Sequence, residues 1–567
     1  MKKRNLFVSI IALFTLSGCD FIDNILARFK QPQKQEETSE NEEQKKEENK
    51  EQEQDPPIPK TKIGEFYGGV VEGDTYTGYE FSKSQSDIER PRTGVGELNI
   101  YAFNDFHGSI VETEDEVGLK YLATFFKDKS KKQNTLILDQ GDTWQGSFES
   151  NYQYGSLVQD VFNYAGVSMR TVGNHDFDWG LNKLESIINR KIDDDYIPTL
   201  ASNVFDYANG VNGHNQQKQY GKEYAIFSMD NGLKVGVVGV IGKSQITSIS
   251  SQLVQDICFT DHIKKVQEIS DFLRVYKGCD VIIASTHESS GNLYDSTLSN
   301  ISNVSHKRYA DLVLSGHAHY KQEYTTNGTK FVQWDSNGQS TGLITLKYDF
   351  ANNKVVDDDT EVNTYYPNYI KTYYPTIDPT IEKMVDDYLA ETNPAAEEIL
   401  SSNFIGYWSS TSLGYLMSEA IFYTVKNMGF SADFAVCNYA RISFNSEVFT
   451  YRDLYKCFPF DNQVILMDVS SPNSCSSISA NETYREDTSI ELIAGNEYKV
   501  AVIDYLALHQ NESRQYNYFP DATNIYVLSD SNEEPLIYRN ILKDYLKNNP
   551  VKTFNSSDYN SSNPHCL

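Results

Sequence analysis

The stretch Met169-Arg-Thr-Val-Gly-Asn-His-Asp-Phe-Asp-Trp-Gly180 joins a strand-like run, residues 169–172, to a polar cluster of potential metal ligands. Four more clusters follow strand-like runs: Asp105-Phe-His107 after 98–103, Gly141-Asp142 after 135–138, His287 after 281–286, and Gly316-His317-Ala318-His319 after 311–315. In an open α/β sheet, ligands bind in the crevice outside the carboxyl ends of the strands. The five clusters are therefore expected to converge on one site.

Around these clusters, residues 97–350 alternate short apolar runs with longer polar or helical stretches. The runs are 98–103, 135–138, 197–200, 234–241, 280–286 and 311–315. Such alternation is typical of βα units with a buried sheet covered by helices. Two further runs, 330–334 and 342–348, follow without a helix between them and predict an antiparallel edge or a second sheet layer. The predicted fold class is α/β, built as an α+β sandwich.

The rest of the chain divides where its composition changes. Residues 351–397 are predicted to be a linker with one helix, which begins at Thr380 and is expected to stop at Pro394. A second α/β domain is predicted at 398–548, with helices at 412–427 and 534–547 and strands at 433–437, 463–468, 499–504 and 524–528. The tail, 549–567, is expected to fray. Residues 61–95 show no clear period and are assigned no structure.

The first 60 residues predict export and anchoring. Residues 1–5 are basic, 6–16 are apolar, and Leu16-Ser-Gly-Cys19 completes the shape of an export signal that ends at residue 18. This end resembles the bacterial lipobox, which implies cleavage before Cys19 and lipid on its sulfur. Residues 19–60 are then a lipid-anchored disordered tether, because 31–60 contain no large apolar residue except Ile58. The protein is expected at the cell membrane, on its extracytoplasmic face.

The charge of the chain limits its partners. A formal net charge of -29 argues against nucleic-acid polymers and anionic lipid surfaces, which need a basic face. A small polyanionic substrate would need local cations, and metal ions can supply them. The seven cysteines show no Cys-x-x-Cys spacing, so disulfide bridges and buried free thiols both stay open. The oligomeric state also stays open.

The five clusters combine carboxylate, imidazole and amide donors. This mixture suits Zn²⁺, Mn²⁺ or Co²⁺ better than Ca²⁺ or a thiolate-bound ion. Two such ions roughly 3.5–4 Å apart can clamp the attacking and leaving oxygens of a phosphoryl transfer. One carboxylate must then bridge the ions. Asp142 lies between the Asp105 and Asn174 clusters in the chain and is the expected bridge.

The order Asp-x-His, Gly-Asp, Gly-Asn-His-Asp, His, Gly-His-x-His resembles the calcineurin-like metallophosphoesterases, and 173–180 is similar to the secreted 5′-nucleotidase branch. The resemblance implies a four-layer catalytic domain at 96–350 followed by a 5′-nucleotidase-type substrate-binding domain. It implies one metal on Asp105, His107, Asp142 and His319, and a second on Asp142, Asn174, His287 and His317. It also implies that His175 assists the leaving group and that Asp178 orients it, which agrees with the effect of a carboxylate on a histidine tautomer.

The second half resembles the same family but departs from it in places. Residues 451–462 are similar to the segment whose phenylalanine after the proline stacks on the base, here Phe460. Residues 504–507 match the opposite face, which puts Tyr505 there. The family's Asn-x-Gly-Gly-x-Arg loop is shortened to Asn438-Tyr-Ala-Arg441. A Gly-Gly-Asp-Gly segment after the second aromatic residue is replaced by 509–513.

The sequence predicts an extracytoplasmic, two-metal phosphoric ester hydrolase that releases phosphate from nucleotides. One alternative keeps the chemistry and changes the substrate to a cyclic nucleotide, a nucleotide sugar or another phosphoester. A second alternative is a solute-binding lipoprotein without turnover. Loss of a metal ligand would favour that second alternative, and the sequence retains all seven.

Overall fold

The structure, a computed structural model, describes residues 61–63, 66–72, 75–84, 88–191, 195–206, 218–289, 296–510 and 516–559. The predicted export signal, Cys19 and the tether lie outside these residues. Within the described ranges, no helix is both long enough and apolar enough to cross a lipid bilayer.

The N-terminal region contains two large sheets. Its strands are β1 (Thr61–Ile63), β2 (Phe66–Glu72), β3 (Thr77–Ser82), β4 (Val95–Phe103), β5 (Thr135–Asp139), β6 (Met169–Thr171), β7 (Thr199–Leu200), β8 (Val204–Asp206), β9 (Lys218–Gln219), β10 (Tyr224–Ser228), β11 (Lys234–Ile241), β12 (Ile257–Phe259), β13 (Val281–His287), β14 (Leu312–Leu314), β15 (Gln322–Thr326), β16 (Thr329–Gln333), β17 (Thr341–Asp349), β18 (Lys354–Val355) and β19 (Glu361–Tyr365). Its helices are α1 (Leu119–Ser130), α2 (Phe148–Tyr152), α3 (Ser156–Ala165), α4 (Leu181–Ile188), α5 (His262–Val275) and α6 (Pro367–Tyr373).

The strand order separates the two sheets. One has nine strands in the order β1-β2-β3-β10-β11-β13-β14-β16-β15. The other has seven, in the order β18-β17-β4-β5-β6-β7 with β19 also paired to β17. Of the two runs predicted after the last histidine cluster, 330–334 corresponds to β16, which pairs parallel with β14 and antiparallel with the edge strand β15. The run 342–348 belongs to the second sheet, where β17 pairs antiparallel with β4. The predicted second layer is therefore confirmed, whereas the antiparallel edge is β15 and not the predicted run.

Alternating side chains along the strands define the layers. In β4, Ile100 and Ala102 lie in the core between the sheets, whereas Tyr101 and Phe103 pack in the cluster that contains α1 and α3. Strand β11 alternates in the same way between the inter-sheet core and the cluster that contains α5. A strand sends successive side chains to opposite faces, so each sheet is buried on both sides. The result is a helix–sheet–sheet–helix arrangement, and the predicted fold class is confirmed.

Strands β1, β2 and β3, in a region to which the sequence assigned no structure, extend the nine-stranded sheet. Strands β2 and β3 pair antiparallel, and β3 pairs parallel with β10. Phe66, Tyr79 and Phe81 are buried in the inter-sheet core. The pattern was not recognised because two glycines, Gly68 and Gly69, interrupt β2, whose burial does not alternate cleanly.

Residues 351–397, predicted to be a linker with one helix, contain β18, β19 and α6 as well as a long helix, α7 (Pro379–Ala396). The two strands pair with β17, and α7 packs against α1, α2 and α3. The prediction that Pro394 stops this helix was wrong, because the helix continues through it. Pro394 lies in the last turn, where its missing N–H removes a single hydrogen bond from a helix that is already ending.

The C-terminal region is a second α/β unit. Its strands are β20 (Ile399–Ser401), β21 (Phe404–Ile405), β22 (Phe434–Cys437), β23 (Phe449–Thr450), β24 (Val464–Val469), β25 (Glu482–Tyr484), β26 (Tyr498–Ile503), β27 (Thr523–Val527) and β28 (Phe554–Asn555). Its helices are α8 (Ser410–Asn427), α9 (Tyr451–Cys457), α10 (Pro472–Ala480), α11 (Asp504–Ala507) and α12 (Tyr538–Asn548). The main sheet has the order β25-β22-β26-β24-β27.

Part of the predicted tail is packed rather than frayed. Strand β28 pairs with β21, and Phe554 and Tyr559 are buried in the core of this unit. Their aromatic surface favours burial over exposure to water, which the Asn- and Ser-rich composition around them obscured. Residues 560–567 lie outside the described part of the chain.

Candidate active site

The predicted site residues lie at the carboxyl ends of strands from both large sheets. Asp105 and His107 follow β4, Asp142 follows β5, and Asn174 follows β6, all in the seven-stranded sheet. In the nine-stranded sheet, His287 is the last residue of β13, and His317 and His319 follow β14. The crevice therefore lies between two sheets, whereas the sequence pattern had suggested the edge of one.

All seven predicted metal ligands come together in two groups that share Asp142. The groups are Asp105, His107, Asp142 and His319, and Asp142, His287 and His317, with the donor atoms of each group within 4.8 Å of one another. Asn174 joins the second group through Oδ1, which lies 3.1 Å from His287 Nε2 and 3.0 Å from His317 Nδ1. These groups match the two ligand sets that the family resemblance implied.

Asp142 has the geometry of a bridging ligand. Its Oδ1 accepts a hydrogen bond from the backbone N–H of His175 at 2.8 Å. Its Oδ2 is buried and has no hydrogen-bond partner among the described residues, although His287 Nε2 lies 3.2 Å away and His107 Nε2 3.9 Å away. A buried carboxylate oxygen without a donor is costly. Two divalent ions bound by the two groups would satisfy this oxygen, so these residues fit a two-metal centre.

Backbone carbonyls orient two of the ligating imidazoles. The Nδ1–H of His107 donates to Gln145 O at 2.9 Å, and the Nδ1–H of His287 donates to Gln140 O at 2.7 Å. Each bond keeps a proton on Nδ1, so that Nε2 is the nitrogen left for a metal ion. His107 Nε2 lies 3.0 Å from His319 Nε2, which is close enough for both imidazoles to hold one metal ion.

The ligand loops are held in an uncommon backbone conformation. Five of the seven ligands have positive φ, namely Asp105 (49°), His107 (49°), Asp142 (54°), His317 (78°) and His319 (62°). Residues other than glycine seldom adopt this region, and such residues cluster at functional sites. Close approach adds a second constraint, because a Cβ at Gly173 would lie 2.1 Å from Asp142 Oδ1. The glycine of the Gly-Asn-His motif therefore makes room for the Asp142 carboxylate.

Burial and neighbouring charges set the protonation of the ligands. Burial lowers the pKa of His317 and of His319 to about 4, which leaves both imidazoles neutral. Burial opposes charge on Asp142, but His287 and His175 outweigh it and hold the carboxyl pKa well below its usual range. Burial also disfavours charge on His287, yet Asp142 raises its pKa to about 10. Metal binding would release this proton, as it does from other ligating side chains.

Sequence reasoning missed Asp176, which fastens two ligand loops to each other. One carboxylate oxygen accepts the backbone N–H groups of Gly173 at 2.8 Å and Asp142 at 3.2 Å, and the other accepts that of Thr143 at 3.1 Å. The residue is buried. Its position inside the Gly-Asn-His-Asp motif was the available signal, but the motif alone gives no indication that it binds backbone groups.

The two residues predicted to be catalytic, His175 and Asp178, are paired. His175 Nδ1 lies 2.8 Å from Asp178 Oδ2. Burial lowers the pKa of His175, but Asp178 and Asp142 outweigh it and raise the pKa overall. The imidazole also stacks on Phe460 of the C-terminal region, with ring centroids 5.0 Å apart and an angle of 22° between the planes.

The four predicted substrate-binding residues line one cavity with three of the seven predicted metal ligands. The cavity has a volume of about 760 Å³ and is lined by Asn438, Arg441, Phe460 and Tyr505 from the C-terminal region and by Asn174, His175, Asp178, His317 and His319 from the N-terminal region. The Arg441 guanidinium lies 5.3 Å from the centroid of Phe460. The structure thus brings the predicted recognition residues to the predicted metal site, but Phe460 packs on His175 in this conformation.

Comparison with known proteins agrees with this geometry. The calcineurin-like phosphoesterase family model matches residues 98–321, which contain every predicted metal ligand. Within residues 98–321, the fold and the clustered donor side chains are similar to those of this family.

Individual relatives extend the likeness into the second half. The chain is 24% identical over 410 residues to endonuclease YhcR of Bacillus subtilis, and this match covers 66% of this chain and 32% of that protein. It is 24% identical over 425 residues to a 5′-nucleotidase of Vibrio parahaemolyticus, and this match covers 66% of this chain and 72% of that protein. The 5′-nucleotidase precursor of Thermus thermophilus has the same fold, with a TM-score of 0.65 at 16% identity over 83% of this chain and 99% of that one. The chain covers only 32% to 39% of the length of three of its relatives, one of which is the endonuclease.

Proposed function

We propose that the protein is a phosphohydrolase that uses two divalent metal ions to release phosphate from nucleotides. The observation that carries this proposal is Asp142, which belongs to both donor groups and whose Oδ2 is buried without a hydrogen bond among the described residues. The mixed donors suit Zn²⁺, Mn²⁺ or Co²⁺. Relatives named 5′-nucleotidase, from Vibrio parahaemolyticus and Diplobatis ommata among others, support a nucleotide as the substrate.

The residues around the metal ligands have defined tasks in this reaction. When bound, the two ions supply positive charge that stabilises the transition state of phosphoryl transfer. His175 bonds Asp178 through Nδ1, which leaves Nε2 to hold a proton for the leaving oxygen, and its raised pKa favours that protonated form. Asn174 Nδ2 is buried and unpartnered within the described part of the chain, so it is free to donate to a phosphoryl oxygen.

Recognition of the nucleoside is assigned to the C-terminal wall of the cavity. Asn438 and Arg441 would hold polar groups of the substrate, and Tyr505 and Phe460 would stack on the base, as the family resemblance implies. Arg441 also brings positive charge to an anionic substrate in a chain of net charge -29. For a base to stack on Phe460, it must use the part of the ring that His175 does not cover.

Product analysis with the purified protein tests the catalytic proposal, because nucleotides would release phosphate whereas cyclic nucleotides and nucleotide sugars would give phosphomonoesters. Nucleotides, cyclic nucleotides and nucleotide sugars should be supplied with Mn²⁺, Co²⁺ or Zn²⁺, and separately with a chelator. His175→Ala should lower turnover about 10²- to 10⁴-fold and retain bound metal. The matched control is His306→Asn, which changes an exposed histidine outside the cavity and should leave turnover unchanged.

The outcomes of this panel separate the alternatives. Hydrolysis of cyclic nucleotides or nucleotide sugars in preference to 5′-monophosphates would change the substrate and keep the chemistry. Binding of nucleotides without phosphate release, at any metal concentration, would indicate a solute-binding lipoprotein. Loss of metal from His175→Ala would make His175 a ligand and leave its pairing with Asp178 without a catalytic role.

We also propose that the protein is anchored outside the cytoplasm by lipid on Cys19. The support is the Leu16-Ser-Gly-Cys19 sequence and the polar segment that follows it. Cys19→Ser should give a protein that leaves the detergent-rich phase on phase separation, with unchanged catalysis, because the site lies far along the chain. Membrane association equal to that of the parent would refute the anchor.

A further inference from the structure

The cavity has a second aromatic wall that the proposed function does not use. Tyr154, Trp179 and Lys183 line the same cavity as His175 and Asp178, and all three belong to the N-terminal region. The rings of Tyr154 and Trp179 meet edge to face, with centroids 5.6 Å apart. Lys183 Nζ lies 3.9 Å from the centroid of Tyr154. These three side chains form what we call the N-wall. Trp179 directly follows Asp178 in the chain, and its contact with Tyr154 brings the N-wall next to the predicted catalytic pair.

Tyr154 is held in a conformation that folding alone does not favour. Its φ is 53°, in the left-handed region that a bulky side chain rarely adopts. Burial of the ring does not offset the cost of this conformation, since 41% of the residue surface is exposed. Backbone outliers of this kind concentrate at ligand contacts. The strained turn therefore presents an aromatic ring to the cavity.

The N-wall and the C-terminal aromatic residues suit two separate groups of one substrate. Phe460 and Tyr505 line the cavity from the C-terminal region, and the N-wall lines it from the N-terminal region. A phosphomonoester carries one organic group and needs one aromatic wall. A phosphodiester carries organic groups on both sides of the reacting phosphorus, and two walls can each receive a ring. The cavity lining contains one lysine, Lys183 on the N-wall, and one arginine, Arg441 on the C-terminal side. Each wall therefore also carries a positive charge.

We propose that the N-wall is a subsite for the second ring-bearing group of a phosphodiester, such as the second nucleoside of a dinucleoside phosphate. This inference rests on the proposed function and adds a substrate class to it. Water adds to phosphorus, one phosphorus–oxygen ester bond breaks, and the water proton ends on the released hydroxyl. The products are a phosphomonoester and an alcohol. Aromatic stacking tolerates different bases, because every base has a π-face.

Paired substrates test the subsite in the metal-loaded protein. The diester is adenylyl-adenosine, and the monoester is adenosine 5′-monophosphate. Tyr154→Ala and Trp179→Ala should each lower kcat/KM for the diester by about 5- to 150-fold, the range for loss of one stacked base, and change the monoester little. The matched control is Tyr152→Ala, which removes a tyrosine with 44% of its surface exposed that does not line the cavity.

A binding measurement keeps the test independent of turnover. Three of the four tryptophans, Trp144, Trp334 and Trp408, are fully buried, so Trp179 dominates any response to a ligand in the cavity. In the slow His175→Ala protein, adenylyl-adenosine should change tryptophan emission. In His175→Ala with Trp179→Phe, the change should disappear while the thermal melting temperature is retained.

The kinetic results distinguish failure of the subsite from failure of the proposed function. Equal losses on the diester and the monoester, or no loss on the diester, would overturn the subsite. Hydrolysis of the monoester without hydrolysis of the diester would also overturn it and leave the proposed function intact. Hydrolysis of neither substrate would refute the proposed function itself.

Discussion

Replacing Phe460 with alanine tests whether the C-terminal region takes part in catalysis. The ring of Phe460 stacks on His175 at 5.0 Å, and His175 is in turn bonded to Asp178 at 2.8 Å. An aromatic pair of this kind contributes about 0.5–1.5 kcal/mol beyond the area it buries. At about 1.4 kcal/mol for each factor of ten, Phe460→Ala should lower kcat about 2- to 13-fold through loss of this contact.

Two substrates separate this effect from base stacking. With 4-nitrophenyl phosphate, which has no base, Phe460→Ala should show only the loss in kcat. With a nucleotide, loss of base stacking would add about 1–3 kcal/mol, or roughly 5- to 150-fold in apparent affinity. The assay is steady-state kcat and KM for both substrates. Phe460→Trp keeps an aromatic face toward His175 and should recover most of kcat.

Two results would contradict this prediction. An unchanged kcat on 4-nitrophenyl phosphate, in a variant that melts at the parent temperature, would show that the contact with His175 does not affect turnover. Equal losses on both substrates with a lowered melting temperature would identify Phe460 as a packing residue. The nucleotide assignment would then rest on the other cavity residues.

Three further predictions concern the metal ligands and the core. Asp142→Asn should nearly abolish activity because both donor groups lose their shared carboxylate. His319→Ala removes a ligand from one group only and should be partly rescued by excess metal. Unchanged metal content and turnover in Asp142→Asn would refute the two-metal assignment. Asp176→Ala should weaken metal affinity about 10- to 100-fold, the usual effect of removing a residue that orients ligands, and metal titration followed by phosphate release checks this. Burial raises the pKa of Glu482 from 4.5 to about 7, so the folded chain holds this proton more tightly than the unfolded chain and the residue becomes destabilising as pH rises through that interval. Glu482→Gln should therefore raise the melting temperature at pH 8 and leave it unchanged at pH 4; an equal shift at both pH values would exclude this carboxyl as the cause.

The sequence was sufficient where structure depends on neighbouring residues. The runs that became β4, β5, β11 and β13 are mostly apolar, as buried strands require, and predicted ligands follow β4 and β5 and end β13. The seven metal ligands could be named because each short motif carries its own donor atoms. The bounds of these strands differ from the predicted ones by only a few residues.

Features that depend on distant partners could not be predicted. Strands β1 to β3 owe their place to pairing with β10, about 150 residues away, and no local period marks them. Sequence spacing also did not show that the ligands are divided between two sheets. Asp176 was missed for a related reason, since it acts on backbone N–H groups that any sequence possesses.

The loop that carries Phe460 physically joins the predicted catalytic and recognition halves. Buried Arg539 donates to the carbonyl oxygens of Phe458 at 3.0 Å and Phe460 at 2.7 Å, which fixes the loop from the C-terminal side. From the N-terminal side, the Gln145 amide donates to Pro459 O at 2.9 Å, while the Gln145 carbonyl accepts the proton of the metal ligand His107.

This arrangement links the predicted recognition loop to a predicted metal ligand through one residue, Gln145, whose side chain and backbone make the two contacts. A change in the 458–460 loop alters the partner of Gln145, and Gln145 sets the orientation of His107. Residues that act through a common network are not additive in their effects. Substitutions at Phe460 and at the metal ligands should therefore couple, so the departures from the family pattern in the C-terminal half bear on catalysis as well as on the choice of substrate.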